Sequence, residues 1–240
     1  LHLSIRRQRQ MCIRDSLRSI ALRAFGIDRG QTRQTTPPTH IGSGLQLCLT
    51  SWNITSLVAC STDDQTQKSA RVNGWLDRGP VMLQETHWLE GQERDFVRRW
   101  HGADIFASPA LPKLGGTTGG VALVLPQHLG WRIRETMVLI KGAAIACIAT
   151  WRQQDFLLVT LYATPIQDEA GHLSFSKFWR LLQDAGDRLS GAYPEAIPLL
   201  LGDFNCSGQD HERPTAASRA LDTHVQAALS AFGLQECPQT

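Results

Sequence analysis

A chain of 240 residues, 42% of them hydrophobic, is long enough for one large core and at most a small appendage. Seven tryptophans spread from Trp52 to Trp179 argue against a disordered chain, and no apolar run approaches the length of a membrane span. The formal charge of +2 hides an asymmetry: residues 1–33 carry eight Arg against Asp15 and Asp28, a balance of +6, which leaves −4 for residues 34–240. A basic groove on the folded part must therefore be local. The six cysteines (Cys12, Cys48, Cys60, Cys147, Cys206, Cys237) contain no C-x-x-C pair, which argues against a zinc site. They fit a reducing compartment, so the expected location is nuclear or cytoplasmic rather than secreted.

Residues 1–40 read differently from the rest. An Arg-rich stretch runs to Arg33, and Thr35-Thr36-Pro37-Pro38-Thr39 forms a linker-like break. Three accounts stand: an amphipathic targeting segment, a basic arm that touches phosphates, or translated sequence upstream of the true domain. The last is adopted here, so residues 1–40 are expected to be disordered or non-native and residues 41–240 to form the domain.

From Leu45 onward strand-like and helix-like segments alternate. Residues 47–53 read as a short apolar strand, 70–77 as a helix and 80–85 as a second strand. Residues 90–100 have helical spacing, and 104–108 suit another strand. Gly115-Gly116-Thr117-Thr118-Gly119-Gly120 reads as a loop, not a phosphate cradle, because it lacks a Lys-Ser/Thr ending and leads into strand-like sequence. Residues 121–125, 132–140, 143–151 and 156–163 then predict four strands whose short connections imply antiparallel neighbours. The clearest helix is 173–189, where Phe175, Phe178, Trp179, Leu182 and Leu189 recur on one stripe. A strand at 197–201 and a helix from about 216 to 232 follow. Strand runs mixed with face-covering helices predict an α/β fold, a four-layer sandwich of two packed mixed sheets flanked by helices.

Three of these strand ends carry oxygen-bearing side chains. One strand stops at Trp52-Asn53, the next at Leu83-Gln84-Glu85-Thr86-His87, and a third at Gly202-Asp203-Phe204-Asn205. Each has a bland reading. Asp203 and Asn205 are good turn formers, Glu85 suits a solvated strand end, and Asn53 suits a turn initiator. His87 suits a surface position, and Tyr162 and Pro165 suit a core aromatic and a strand terminator. Together, an amide, a carboxylate and an Asp/Asn pair at a sheet rim are what a hard divalent cation needs. They are also what activating water against a phosphodiester needs.

The ordered set Trp52-Asn53, Leu83-Gln84-Glu85-Thr86, Gly119-Gly120-Val121-Ala122, Tyr162 with Pro165, and Gly202-Asp203-Phe204-Asn205 resembles the endonuclease/exonuclease/phosphatase superfamily. The resemblance runs from about Leu47 to the end of the sequence. It implies that Glu85 is the principal carboxylate ligand of Mg²⁺ (with Mn²⁺ as a substitute) and that Asn53 lies beside it. Asp203 would orient and deprotonate the attacking water, Asn205 would hold that water or a phosphate oxygen, and Tyr162 would approach the phosphate from the opposite wall.

Two departures from the family pattern stand out. Thr160 occupies a position where many relatives carry Asn. The second Asp-bearing strand and the Ser-Asp-His segment expected beyond Asn205 are not among the 35 residues that follow it, which hold only His211 and His224. Both histidines read as surface residues. The expectation is a fold incomplete at its C-terminus and a polypeptide inactive, or nearly so, as written. In style the motifs are closest to retrotransposon endonucleases of the LINE type, which implies DNA as partner, no membrane, and a fused reverse transcriptase in the full-length protein. The alternatives are a phosphatase or phosphodiesterase acting on a lipid or inositol headgroup, and a non-catalytic remnant of the fold.

Overall fold

The computed structural model describes residues 47–58, 61–100, 102–167, 171–205 and 216–234, the side chains of 216–222 excepted. The readings made for residues 1–40, Cys60, Cys206, His211 and Cys237 lie outside the described residues.

Two four-stranded sheets form the frame. The first has the order β1 (Thr50–Asn53), β2 (Val81–Gln84), β6 (Val121–Pro126), β3 (Ala103–Ser108). The second has the order β12 (Ile197–Asp203), β9 (Gln154–Tyr162), β8 (Ala144–Trp151), β7 (Arg132–Ile140). Each sheet is parallel at one edge, β1 with β2 and β12 with β9, and antiparallel across the rest. Two-stranded ribbons, β4 (Leu111–Lys113) with β5 (Gly116–Thr118) and β10 (Ile166–Gln167) with β11 (Leu173–Ser174), stand outside the sheets.

The period-2 alternation of the strands sorts side chains into three apolar layers. Met82, Val121, Leu123, Leu125, Ile145, Cys147, Ala149, Leu158 and Leu201 fill the space between the sheets. On the outer face of the first sheet, Val81, Leu83, Ala122 and Val124 meet helix α1 (Thr62–Leu76) and the Trp88–Phe96–Trp100 cluster around the short helix α2 (Arg94–Val97). On the outer face of the second sheet, Ala146, Ile148, Leu157, Val159 and Leu161 meet α3 (Phe175–Ala192) and α4 (Ala216–Ala231). Helix, sheet, sheet, helix is the expected four-layer sandwich. No helix among the described residues is long and apolar enough to cross a membrane.

Local signals explain the helices. Ser174 caps α3 by accepting from Lys177 N at 3.3 Å, and Phe178, Trp179, Leu182, Ala185 and Leu189 form its buried stripe. Ser61 does the same for α1 through Asp64 N at 3.3 Å, and Asp63 and Asp64 complement the helix dipole. That cap starts α1 well before residue 70, where the apolar spacing alone placed it. By contrast, residues 90–100 are helical only over Arg94–Val97. Gly91 takes φ 86°, and three mutually packed rings, Trp88, Phe96 and Trp100, at centroid distances of 4.9–5.9 Å fold the segment into turns.

The four consecutive strands from 121 are not one antiparallel run. β6 belongs to the first sheet and β7, β8 and β9 to the second. The crossing is made by a 3-10 turn at Gln127–Leu129 closed by Gly130 in the left-handed region. Gly116–Thr118, read as loop, is strand β5, and the last strand runs on to Asp203, so this aspartate is a paired strand residue opposite Tyr162 from which the following turn starts.

Candidate active site

The site is the polar end of the inter-sheet layer. Along β2, β9 and β12 the inward rows are apolar until the carboxyl ends, where they become Gln84, Thr160 with Tyr162, and Asp203, and the short β1 adds Ser51 and Asn53. Parity therefore delivers polar side chains to this end of the layer, Gln84 and Thr160 beneath the rim and Asn53, Tyr162 and Asp203 at it, and Glu85 follows directly after β2.

These residues meet across the gap between the sheets. Asn53 Nδ2 donates to Asp203 Oδ2 at 2.9 Å, joining positions 150 residues apart. The other oxygen of Asp203 accepts from Asn205 N at 3.1 Å, and Asn53 Oδ1 accepts from Thr55 N at 3.2 Å. Both side chains thus shape their local turns and also face each other across the two sheets. Asn205 Nδ2 donates to Ala163 O at 2.7 Å. Phe204 stacks on Trp179 at 5.9 Å and 19°, packing outward against the helix layer while its neighbours turn to the rim.

Tyr162 stands in the middle. Burial raises the pKa of its phenol above the ordinary tyrosine value, reinforced by a hydrogen bond to Glu85 and by the negative charges of Glu85 and Asp203; a hydrogen bond with Asn205 acts the other way. The group is therefore a neutral O–H donor. Asn53, Glu85, Tyr162, Asp203 and Asn205 are thereby gathered in one place. His87 is half-buried with Nδ1 2.9 Å from Thr117 Oγ1, which ties the β4–β5 ribbon to the chain leaving β2. His224 is a partly buried residue on α4.

The backbone around the rim is unusual. Glu85, His87 and Asn205 have φ of 54°, 56° and 46°, a region that side-chain-bearing residues rarely occupy. Two glycines are required by close approach. A Cβ at Gly202 would lie 2.0 Å from Leu161 O, and one at Gly120, φ 89°, would lie 2.5 Å from Thr86 Oγ1.

Among the described residues no group of three or more His, Cys, Asp and Glu could hold a metal. The rim offers two carboxylates with amide oxygens around them, which is not a zinc cage. A hard cation that binds through one or two carboxylates and keeps its own waters fits that set.

Two contributors were not singled out from sequence. Gln84 was quoted only as part of a motif, and Thr160 only as a departure from one. Both are fully buried, and Gln84 Nε2 donates to Thr160 Oγ1 at 3.0 Å. The signal available was their parity, since both fall on inward rows.

No family model matches the chain, and no curated protein matches it. Among solved structures it is similar to the AP endonuclease LMAP from Leishmania major (TM-score 0.56, 13% identity, 77% of this chain and 66% of that one). It is also similar to the 3′ phosphatase NExo from Neisseria bound to a product DNA hairpin (0.53, 16%, 76% and 70%). The catalytic domain of Xenopus laevis APE2 gives a TM-score of 0.50 at 19% identity over 77% of this chain and 67% of that one. The chain thus spans about two-thirds of the length of these structures. It has the endonuclease/exonuclease/phosphatase fold.

Proposed function

We propose that the protein hydrolyses phosphodiesters with Mg²⁺ (or Mn²⁺ in its place) and that its substrate is DNA, which it nicks. The observation that carries this reading is the contact between Asn53 and Asp203 across the two sheets, beside a Tyr162 phenol that meets Glu85 and Asn205. Glu85, with Asn53 beside it, would hold the ion. When bound, the ion supplies positive charge that neutralises the non-bridging phosphate oxygens.

The chain's own residues supply the rest. Asp203, fixed through both oxygens, orients the attacking water and takes its proton as the new P–O bond forms. Asn205 holds that water or a phosphate oxygen. Tyr162, kept neutral, faces the phosphate from the opposite wall and turns its one O–H from Glu85 to a phosphate oxygen as Glu85 takes the ion. The leaving oxygen departs as the old P–O bond breaks and is protonated by solvent.

The retroelement reading rests on the order and spacing of Trp52-Asn53, Leu83-Gln84-Glu85-Thr86-His87 and Gly119-Gly120-Val121-Ala122. It carries with it a fused reverse transcriptase in the full-length protein. The 240 residues contain no Ser-Asp-His. One further transition-state donor is worth on the order of 10²–10³ in rate, so this stretch alone is expected to turn over slowly. The test is expression of the full-length protein beside a Glu85→Ala version, with Mg²⁺-dependent nicking of supercoiled plasmid as readout. Equal nicking by both would overturn the hydrolase reading.

A further inference from the structure

Beneath the rim lies a polar pair that no substrate reaches. Gln84 is 1% exposed and Thr160 0%, and they sit in a layer otherwise filled by Met82, Val121, Leu158 and Leu201. Gln84 Nε2 donates to Thr160 Oγ1 at 3.0 Å, and Ser51 Oγ donates to Gln84 Oε1 at 3.3 Å. An apolar pair would fill this space without the cost of desolvating an amide and a hydroxyl, so packing alone does not account for them.

Their positions in the strands suggest what they do. Glu85 is bonded directly to Gln84, and Tyr162 lies two residues beyond Thr160 on the same face of β9. Ser51 stands in the same relation to Asn53 on β1. The inter-sheet contacts therefore form a ladder. Gln84 with Thr160 is its buried rung and Asn53 with Asp203 its outer rung, and Glu85 lies near enough to Tyr162 to raise the pKa of its phenol. Sheets packed by apolar contacts alone can slide by fractions of an ångström, whereas a directional hydrogen bond fixes both separation and offset.

We infer that Gln84 and Thr160 are positioning residues: their hydrogen bond sets the offset of the two sheets at the rim and so holds the Glu85 carboxylate against the Tyr162 phenol. The inference rests on the reading of the rim as a hydrolase site. Neither residue touches substrate, and both act through Glu85 and Tyr162.

The decisive variant is Thr160→Val, which keeps shape and removes the acceptor. Thr160→Ser retains a hydroxyl and is the rescue. Two readouts are taken on the full-length protein. The first is steady-state nicking, where Thr160→Val is expected to lower kcat by about 10- to 100-fold with KM within about twofold, and Thr160→Ser to restore most of it.

The second is carbon-13 NMR of ring-labelled tyrosine, which needs no activity. Two tyrosines, Tyr162 and Tyr193, lie in these 240 residues, and Tyr162→Phe and Tyr193→Phe identify their signals. Thr160→Val is expected to move the Tyr162 signal and leave that of Tyr193 in place, with Thr160→Ser close to native. An unmoved Tyr162 signal in folded Thr160→Val overturns the inference. So does a kcat loss matched by the loss of folded protein in a melting curve, since that is a stability effect only. If the native protein does not nick DNA at all, the hydrolase reading falls, and the Tyr162 signal still decides whether the clamp exists.

Discussion

The layer between the sheets ends in opposite ways at its two mouths. At one, polar side chains from β1, β2, β9 and β12 face each other. At the other, Trp131, Trp151 and Phe156 close the gap. Trp131 stacks on Trp151 at 5.5 Å and 8°, Phe156 packs 5.5 Å from Trp131, and the Arg152 guanidinium lies 4.9 Å over Trp151. Both mouths contain backbone at positive φ, for different reasons. Arg152 and Gln153, at 51° and 68°, are the two-residue turn between the paired Trp151 and Gln154, a turn whose twist requires that conformation. Glu85, His87 and Asn205 lie in no such hairpin. Strain that a turn demands reports on the fold, whereas strain that no turn demands is a pointer to where side chains must be aimed.

That contrast can be broken most forcefully at Asp203. Asp203→Ala is expected to lower the nicking rate on the order of 10²–10³ or more while the melting temperature stays near native, measured side by side on the same preparation. The reverse is expected at the aromatic mouth. Trp131 is 3% exposed, so Trp131→Ala should cost about 3–5 kcal/mol in urea unfolding and leave kcat per folded molecule unchanged. A large kcat loss there with intact stability would erase the distinction between the mouths.

Acidity sharpens the comparison at an intermediate scale. Tyr162 has its pKa raised from 10.0 by burial first and then by Glu85, so its neutral form persists in the folded chain where a free tyrosine ionises. The stability linked to this shift is whole below about pH 10 and drains away as pH rises beyond it. The pH–rate profile of native protein should therefore show no alkaline loss from tyrosine ionisation below about pH 10.

The smallest effects test the two kinds of strain directly. Gln153→Gly should stabilise the chain by up to about 1 kcal/mol with no change in nicking, because glycine suits the turn. Asn205→Gly should gain the same backbone relief but lose activity, since the amide that bonds Ala163 O goes with it. Chemical denaturation paired with a nicking assay separates the two.

Much of the candidate site was legible before any coordinates. Asn53, Glu85, Asp203 and Asn205 stood out because strand ends at a sheet rim and the superfamily resemblance pointed to the same residues. Their mutual contacts were not legible: nothing in the order of residues states that Asn53 Nδ2 reaches Asp203 across 150 positions. Helix α3 was clear because its apolar stripe is strong, while α1 was shortened because its first half is polar and held by a cap. Residues 90–100 were read as more helical than they are, since Phe96 and Trp100 share helical spacing but spend it on a ring cluster.

Local chemistry, then, determined which residues are strand, which face of each strand is apolar and which strand ends carry oxygen, because alternation and capping act over a few residues. The tertiary structure alone decided that β6 and β7 part into different sheets and that Gln84 finds Thr160. The physical reason is that a strand's pattern specifies that a face must be buried, not which partner buries it; that choice is made when the two sheets pack and their polar ends must satisfy one another.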